Sequence, residues 1–202
     1  GRLQKGSNFH IFLTGVGGTG KSRVLKAVYQ TVCRFKNPRP ELDIEPKFPV
    51  IIGAYTGKAS HNVGGQTIHT LFNFQRGNIR ELSQESLRKF GKKFAHTVLV
   101  IIDEISLCGY RSYSNMMKRI IQYFGIKRFE QIKISFLVVG DFRQGIYGFI
   151  NANIDNILEF TNNFPDVKVI ELADNFRSTH AVVEICNDLI DASPVSSYKA
   201  FS

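Results

Sequence analysis

The sequence predicts an α/β domain in which a mainly parallel sheet is flanked by helices. Short apolar runs bounded by turn residues recur along the chain, which is typical of strands buried on both faces of a parallel sheet. Stretches with helical spacing separate these runs, and a glycine-rich phosphate-loop motif follows the first of them. This alternation predicts a doubly wound fold whose ligands bind at the carboxyl ends of the strands.

The individual elements follow from these patterns. Strands are predicted at residues 9–14, 50–55, 97–102, 132–139 and 167–172. Two helices are marked by apolar residues about four positions apart. The first comprises Val24, Leu25, Val28, Tyr29, Val32 and Cys33, and the second comprises Met116, Met117, Ile120, Ile121 and Phe124.

The length and the remaining segments indicate one domain over residues 1–202. Residues 36–49 contain Pro38, Pro40, Pro46 and Pro49, which exclude a regular helix and predict an extended surface loop. The polar, basic stretch 73–93 is interpreted as an insertion with one short helix around residues 82–90, and residues 192–202 as a polar tail.

The composition indicates the kind of partner and compartment. The 26 Lys and Arg residues against 17 Asp and Glu give a net charge of +9, which favours a polyanion such as nucleic acid. Cys33, Cys108 and Cys186 lack the spacing of a zinc site or a disulfide framework, so we expect a reducing, intracellular location, with nucleus and cytoplasm not distinguished. No apolar run approaches ~18 residues, so no membrane partner is expected.

Residues 15–22 match the phosphate-loop pattern G-x-x-x-x-G-K-[ST] at every fixed position. Glycines allow successive backbone N–H groups to surround phosphate oxygens, and the dipole of the following helix favours the same negative charge. Lys21 is expected to neutralise the β and γ oxygens and Ser22 to ligate Mg²⁺. The predicted nucleotide-binding residues are Gly15, Gly17, Gly18, Thr19, Gly20, Lys21 and Ser22. The alternative is a glycine-rich turn that joins two elements.

Two adjacent carboxylates, Asp103 and Glu104, follow the apolar run 98–102. Asp103 is predicted to hold Mg²⁺ through water, and Glu104 to polarise the water that attacks the γ-phosphate. The alternative is that the pair caps the helix that follows, as acidic residues commonly do.

The order of these and further motifs resembles that of the superfamily 1 helicases over residues 9–191. Segments 12–22, 54–60, 64–69 and 102–106 are similar to the Pif/RecD-type branch, and segments 140–149, 156–160, 163–166 and 172–179 to the UvrD/Rep-type branch. A departure from the Pif-type pattern is Gly145-Ile-Tyr-Gly in place of Leu-Pro-Pro. The resemblance implies the first RecA-like domain of an ATP- and Mg²⁺-dependent motor that translocates on, and unwinds, DNA.

The resemblance adds two catalytic residues to Lys21, Asp103 and Glu104. It implies that Gln144 touches the γ-phosphate and the attacking water, a role that suits an amide because it both donates and accepts hydrogen bonds. It also implies that Arg177 acts as an arginine finger in cis. The alternatives are a polar loop residue for Gln144 and, for Arg177, an ion pair with a nearby acid such as Asp174.

The resemblance also implies contacts to single-stranded nucleic acid, with DNA favoured over RNA. Thr56, Gly57 and Lys58 lie past a predicted strand, and the segment containing Thr67 and His69 begins a predicted helix; in the family both segments hold the strand backbone. The implied stacking residues are Tyr147 and Phe149. Core roles for these two aromatic rings and a structural role for His69 are the alternatives, and Ile150 stands where the family often has arginine.

Motors of this superfamily hydrolyse ATP between two RecA-like domains, so the resemblance implies a second domain as a partner, in cis or in an assembly. Two other functions fit parts of the sequence: a P-loop ATPase or kinase that moves no strand, and a non-catalytic binding module derived from a motor. The strand-binding segments favour the helicase over a kinase, which has no use for them.

Overall fold

The computed structural model describes residues 8–36, 48–74, 79, 81–141 and 155–192. Within them, six strands form one sheet in the order β3-β2-β4-β5-β1-β6. The strands are β1 (His10–Gly15), β2 (Val50–Ala54), β3 (Gln66–Thr67), β4 (Leu99–Asp103), β5 (Ser135–Val139) and β6 (Lys168–Leu172). Every pairing in this sheet is parallel, which confirms the predicted α/β fold class.

Helices and short 3₁₀ turns connect the strands in the described part of the chain. The helices are α1 (Lys21–Lys36), α2 (Gly57–Asn62), α3 (Ile68–Leu71), α4 (Gln84–Phe94), α5 (Tyr110–Phe124), α6 (Asp155–Asn163) and α7 (His180–Asp191). The 3₁₀ turns are Ile105–Leu107 and Phe129–Gln131. The helices predicted from apolar spacing are α1 and α5.

The core lies on both faces of the sheet because successive side chains of a strand point in opposite directions. In β4, Val100 and Ile102 pack with the cluster that contains Tyr113 and Met116 of α5. Leu99 and Ile101 of the same strand join the other cluster, which includes the buried Leu25 of α1. Each face of the central strands is therefore covered, as the continuous apolar runs predict.

The edge strand β6 differs from the prediction. Residues 167–172 were expected to be buried on both faces, yet Val169 is 55% exposed and Ile170 is 43% exposed. The cause is position in the sheet, since β6 pairs with β1 alone among the described strands.

Two other elements also depart from the sequence-based boundaries. Gln66 and Thr67 form the short strand β3, and the helix that follows begins at Ile68 rather than at Thr67. The helix expected around 82–90 runs from Gln84 to Phe94, where Phe90 and Phe94 are buried against Tyr123 of α5. Helix α4, which begins within the stretch 73–93, therefore packs its apolar side into the main core.

The strand order determines which loops meet at the carboxyl edge. Leu13 of β1 is in register with Val139 of β5, and Ile102 of β4 with Val138. The residues that follow β1, β4 and β5 therefore leave the sheet side by side, and those that follow β2 leave next to β4.

Candidate nucleotide-binding site

The phosphate loop lies between β1 and α1. Gly18 and Gly20 have φ angles of +94° and +86°, a left-handed region in which residues with a Cβ are strained. The Thr19 hydroxyl donates a hydrogen bond to the carbonyl of Val16 at 2.9 Å, and the Thr19 side chain is buried. Thr19 thus supports the loop from within, and Gly15 ends β1 beneath it.

Lys21 holds its ammonium group under the loop. Its Nζ donates to the carbonyls of Gly15 at 2.5 Å and Val16 at 3.1 Å, and lies 3.9 Å from the carboxylate of Asp141. Burial lowers the pKa of Lys21; the carboxylates of Asp141 and Asp103 oppose that shift, and the cation of Arg177 adds to it.

Asp103 and Glu104 end β4 at the same cleft. Asp103 is buried and accepts a hydrogen bond from the Glu104 N–H at 3.0 Å. Burial raises the pKa of Asp103, with the Glu104 N–H and Lys21 opposing the shift. Burial also raises the pKa of Glu104, and the Asp103 charge raises it further, while Lys21 and Lys58 oppose this. A carboxylate in such surroundings is a stronger base than one in water.

The backbone of Glu104 explains why both carboxylates face one cleft. Its φ and ψ are 54° and 43°, in the left-handed region that few residues other than glycine adopt. In a continued strand, adjacent side chains would point to opposite faces. The left-handed residue ends that alternation, and Asp103 and Glu104 both line the cleft.

Asp141 is a site residue to which the sequence analysis assigned no role. It follows β5 by two residues, is 4% exposed, and its N–H donates to Ser106 Oγ at 3.4 Å. A signal was present in the sequence, because Asp141 follows an apolar strand much as Asp103 does, and the adjacent strands β4 and β5 bring the two together.

Arg177 reaches the phosphate loop from the turn that follows β6. A Cβ placed on Gly17 would lie 2.6 Å from Nη2 of Arg177, so the guanidinium rests against the loop. Among the described residues, no ion pair joins Arg177 to Asp174 or to another nearby acid.

A cleft of about 370 Å³ brings these groups together. It is lined by Gly17, Gly18, Gly20, Lys21, Ser22, Asp103, Glu104, Asp141 and Arg177, among others. Two cations and backbone amides suit the phosphates of a nucleotide, and the oxygens of Ser22 and Asp103 are donors of the kind that Mg²⁺ prefers. The residues present therefore fit a nucleotide with Mg²⁺.

A sequence model of the PIF1-like helicases matches residues 2–189, nearly the whole chain. The chain belongs to the PIF1-like helicase family. It is also 34% identical over 98 residues to DNA helicase II of Escherichia coli, covering 41% of this chain and 14% of that protein. To the ATP-dependent DNA helicase PcrA of Staphylococcus epidermidis it is 33% identical over 113 residues, which is 56% of this chain and 14% of the relative. These matches confirm the predicted superfamily 1 resemblance.

Solved helicase structures share the fold of this PIF1-like chain. Unliganded Pif1 from Bacteroides sp. superposes with a TM-score of 0.63 at 23% identity, over 97% of this chain and 45% of that one. Pif1 from Candida albicans gives 0.63 at 22% identity, over 90% and 40%. The chain thus spans less than half the length of these structures and about a seventh of the curated relatives.

The segments expected to bind a nucleic acid follow β2 and β3 in this PIF1-like domain, and β2 lies next to β4, the strand that ends at Asp103. Thr56 caps α2 by accepting from the Ala59 N–H at 3.1 Å, and Thr67 caps α3 by accepting from the Thr70 N–H at 3.3 Å. The two caps follow the paired strands β2 and β3. Gly57 and Lys58 form the exposed first turn of α2.

His69 packs within an aromatic group. Its ring lies 5.7 Å from that of Tyr55 and 5.0 Å from that of Phe74, and its carbonyl accepts from the Phe74 N–H. These contacts favour the structural alternative for this histidine.

Some predicted residues cannot be placed in the site. Gln144, Tyr147 and Phe149 lie outside the described residues.

In the part that is described, no helix combines the length and the apolar character needed to cross a bilayer.

Replacing Asp103 with asparagine is expected to raise the free energy of unfolding at neutral pH by about 0.5–2 kcal/mol. The pKa of Asp103 is raised by burial, so the charged carboxylate destabilises the folded state at every pH above that raised pKa. Asparagine retains the acceptor for the Glu104 N–H and removes the charge. The gain should shrink as the pH falls through the raised pKa towards the ordinary value of 3.8, where both forms are neutral.

Urea titrations of the two proteins across pH measure this difference. Asp188→Asn on the exposed face of α7 is the matched control, expected to stay within about 0.5 kcal/mol. Loss of stability in Asp103→Asn at neutral pH would mean that attraction to Lys21 outweighs the cost of burial.

Proposed function

We propose that this domain binds ATP with Mg²⁺ and, together with a second motor domain, hydrolyses it to move along single-stranded DNA and unwind the duplex. The observation that carries the proposal is the convergence of Lys21, Arg177 and the pair Asp103–Glu104 on one cleft at the phosphate loop. The proposal is supported by relatives named as ATP-dependent DNA helicases and by a Bacteroides Pif1 structure titled as a complex with ADP-AlF3 and ssDNA.

The chemistry of phosphate binding follows from the loop. The backbone N–H groups around Gly17–Gly20 and the start of α1 provide donors for phosphate oxygens, and Lys21 balances their charge. Ser22 and Asp103 would hold Mg²⁺, which neutralises charge on the transferred phosphate when bound. Gly15 and Thr19 act indirectly, since they shape the loop.

Glu104 is proposed as the general base. Its carboxylate accepts a proton from the attacking water, and a pKa raised by burial and by Asp103 brings its basicity closer to the working pH. Asp141 would keep Lys21 charged, because its carboxylate opposes the burial effect on the lysine pKa. Arg177 would stabilise the charge that develops on the phosphate, and Gln144 would sense the γ-phosphate.

The DNA strand is proposed to run past α2 and α3. Because the hydroxyls of Thr56 and Thr67 already cap helices, they would act by presenting backbone N–H groups, while the exposed Lys58 would contact phosphate directly. His69 would position this surface through its packing with Tyr55 and Phe74. Tyr147 and Phe149 are proposed to stack bases.

Membership of the PIF1-like helicase family disfavours a kinase. A measurement of ATP hydrolysis distinguishes a motor from a non-catalytic binding module. The roles assigned to Glu104 and Arg177 require hydrolysis that is stimulated by a DNA strand. The second motor domain is proposed from the family resemblance and would supply the remainder of the strand track and a further arginine.

Lys21→Ala should weaken binding of Mg²⁺–ATP and Mg²⁺–ADP by roughly 1.5–3 kcal/mol, the scale of a hydrogen bond to a charged group. Titration calorimetry measures the affinities. The control is Lys26→Ala, which removes an exposed charge from the same helix. Equal affinities for Lys21→Ala and the unchanged protein would exclude Lys21 from the phosphate site.

Glu104→Gln should retain ATP binding and lose strand-stimulated turnover, and Arg177→Ala should lose about 10³–10⁵-fold in rate. Both are measured in the full-length protein with its second motor domain, with Glu184→Gln on exposed α7 as the control. The 202-residue chain alone should be nearly inactive. Robust strand-stimulated hydrolysis by these residues alone would contradict a site shared between two domains.

Lys58→Ala should lower the salt dependence of oligonucleotide binding by roughly one phosphate contact, a slope change of about 0.7 for a single strand. Tyr147→Ala should weaken binding by ~1–3 kcal/mol with little change in slope, because stacking releases no counterions. Fluorescence anisotropy across salt concentrations separates the two effects, with Lys26→Ala as the charge control. Unchanged affinity in a folded Tyr147→Ala protein would exclude that ring from the strand track.

A further inference from the structure

The turn that carries Arg177 is joined to the phosphate loop by two hydrogen bonds. Nδ2 of Asn175 donates to the carbonyl of Gly17 at 2.9 Å, and the N–H of Phe176 donates to the carbonyl of Gly18 at 3.0 Å. The first of these bonds joins residues 158 positions apart in the chain. The turn is therefore docked on the loop through two successive loop carbonyls.

The other end of the same amide shapes the turn itself. Oδ1 of Asn175 accepts hydrogen bonds from the N–H groups of Arg177 and Ser178, each at 2.9 Å. Such side-chain caps of a turn are a common use of asparagine. One side chain thus fixes both the local backbone at Arg177 and its attachment to the loop.

The glycines of the loop leave room for this turn. A Cβ on Gly18 would lie 2.7 Å from Oδ1 of Asn175 and 2.8 Å from Cβ of Arg177. A Cβ on Gly17 would lie 2.6 Å from Nη2 of Arg177. Real Cβ atoms essentially never make contacts shorter than 3.0 Å. The docked turn therefore requires glycine at position 18, where Cβ of Arg177 is in the way, whereas the flexible end of Arg177 could move away from a Cβ at position 17.

We propose that Asn175 is the positioning residue that docks the Arg177 turn on the phosphate loop and so sets the guanidinium against the nucleotide phosphates. This inference rests on the proposed function, since it assigns Arg177 to phosphate. A neutral amide suits the task because it donates to one segment and accepts from the other without bringing negative charge towards an anionic ligand.

The first test is a double-mutant cycle on strand-stimulated ATP hydrolysis by the full-length protein. Asn175→Ala should lower kcat by about 10–100-fold, as misplacement of a catalytic group does, and change KM for ATP less than about threefold. In an Arg177→Ala background the same change should cost nothing further, because Asn175 acts through Arg177. Equal losses in the two backgrounds would reduce Asn175 to a structural residue and overturn the proposal.

Asn175→Asp separates docking from the local turn. The carboxylate retains the acceptor for the N–H groups of Arg177 and Ser178 but cannot donate to Gly17, so kcat should fall as in Asn175→Ala. Thr179→Asp adds a carboxylate at the exposed end of the same turn and should leave the rate unchanged. A normal rate for Asn175→Asp would show that the bond to Gly17 plays no part.

Hydrogen exchange tests the docking without any turnover. The N–H groups of residues 176–178 are all bonded within this docking contact, so Asn175→Ala should speed their exchange at least tenfold in a peptide that contains them. Unchanged exchange would overturn the proposal. If the unchanged protein shows no strand-stimulated hydrolysis, the proposed function fails, and the exchange result still decides whether Asn175 docks the turn.

Discussion

Lys21 carries a positive charge into a half-buried cleft, and the carboxylates of Asp103 and Asp141 make that burial tolerable. Burying a charge without partners costs free energy. Burial accordingly lowers the pKa of Lys21, and the two carboxylates raise it again. Lys21 begins the helix that follows β1, Asp103 ends β4 and Asp141 follows β5, and these three strands are neighbours in the sheet. The charge balance of the site therefore depends on the sheet topology, and the loop, which Lys21 ties down through two carbonyls, depends on the lysine.

Much of this arrangement could be predicted because parallel strands bring their carboxyl ends to one edge of a sheet. The long apolar runs, the phosphate loop and the pair Asp103–Glu104 all carry local signals. The exposure of β6 and the two-residue strand β3 could not be predicted, since burial at an edge depends on neighbours in space and two residues show no periodicity. The left-handed backbone of Glu104 likewise has no signature in residue type.

The place of Arg177 in the site, far along the chain from the phosphate loop, could be predicted only from the resemblance to the helicase family. Nothing near residue 177 indicates that its guanidinium lies at Gly17, because the contact depends on the pairing of β6 with β1. That pairing places Leu172 opposite Gly15, so the turn begins where the phosphate loop begins. The register of β6 on β1 thus brings Arg177 close to the phosphate loop. The sequence alone does not indicate this contact, because it does not show which strands pair.

The exposure of β6 has a further consequence for how the cleft is held. Val169, Ile170, Val182 and Ile185 are all more than two-fifths exposed, so the elements on either side of the Arg177 turn bury less apolar surface than β1, β4 and β5. Segments with few buried contacts open at lower free energy than the core they border. The side of the cleft built on β1, β4 and β5 is therefore expected to open only with the core, whereas the side that carries the Arg177 turn is expected to open at lower free energy. Under the proposed function, such a difference would let a hydrolysed nucleotide leave past the Arg177 turn while the sheet stays intact.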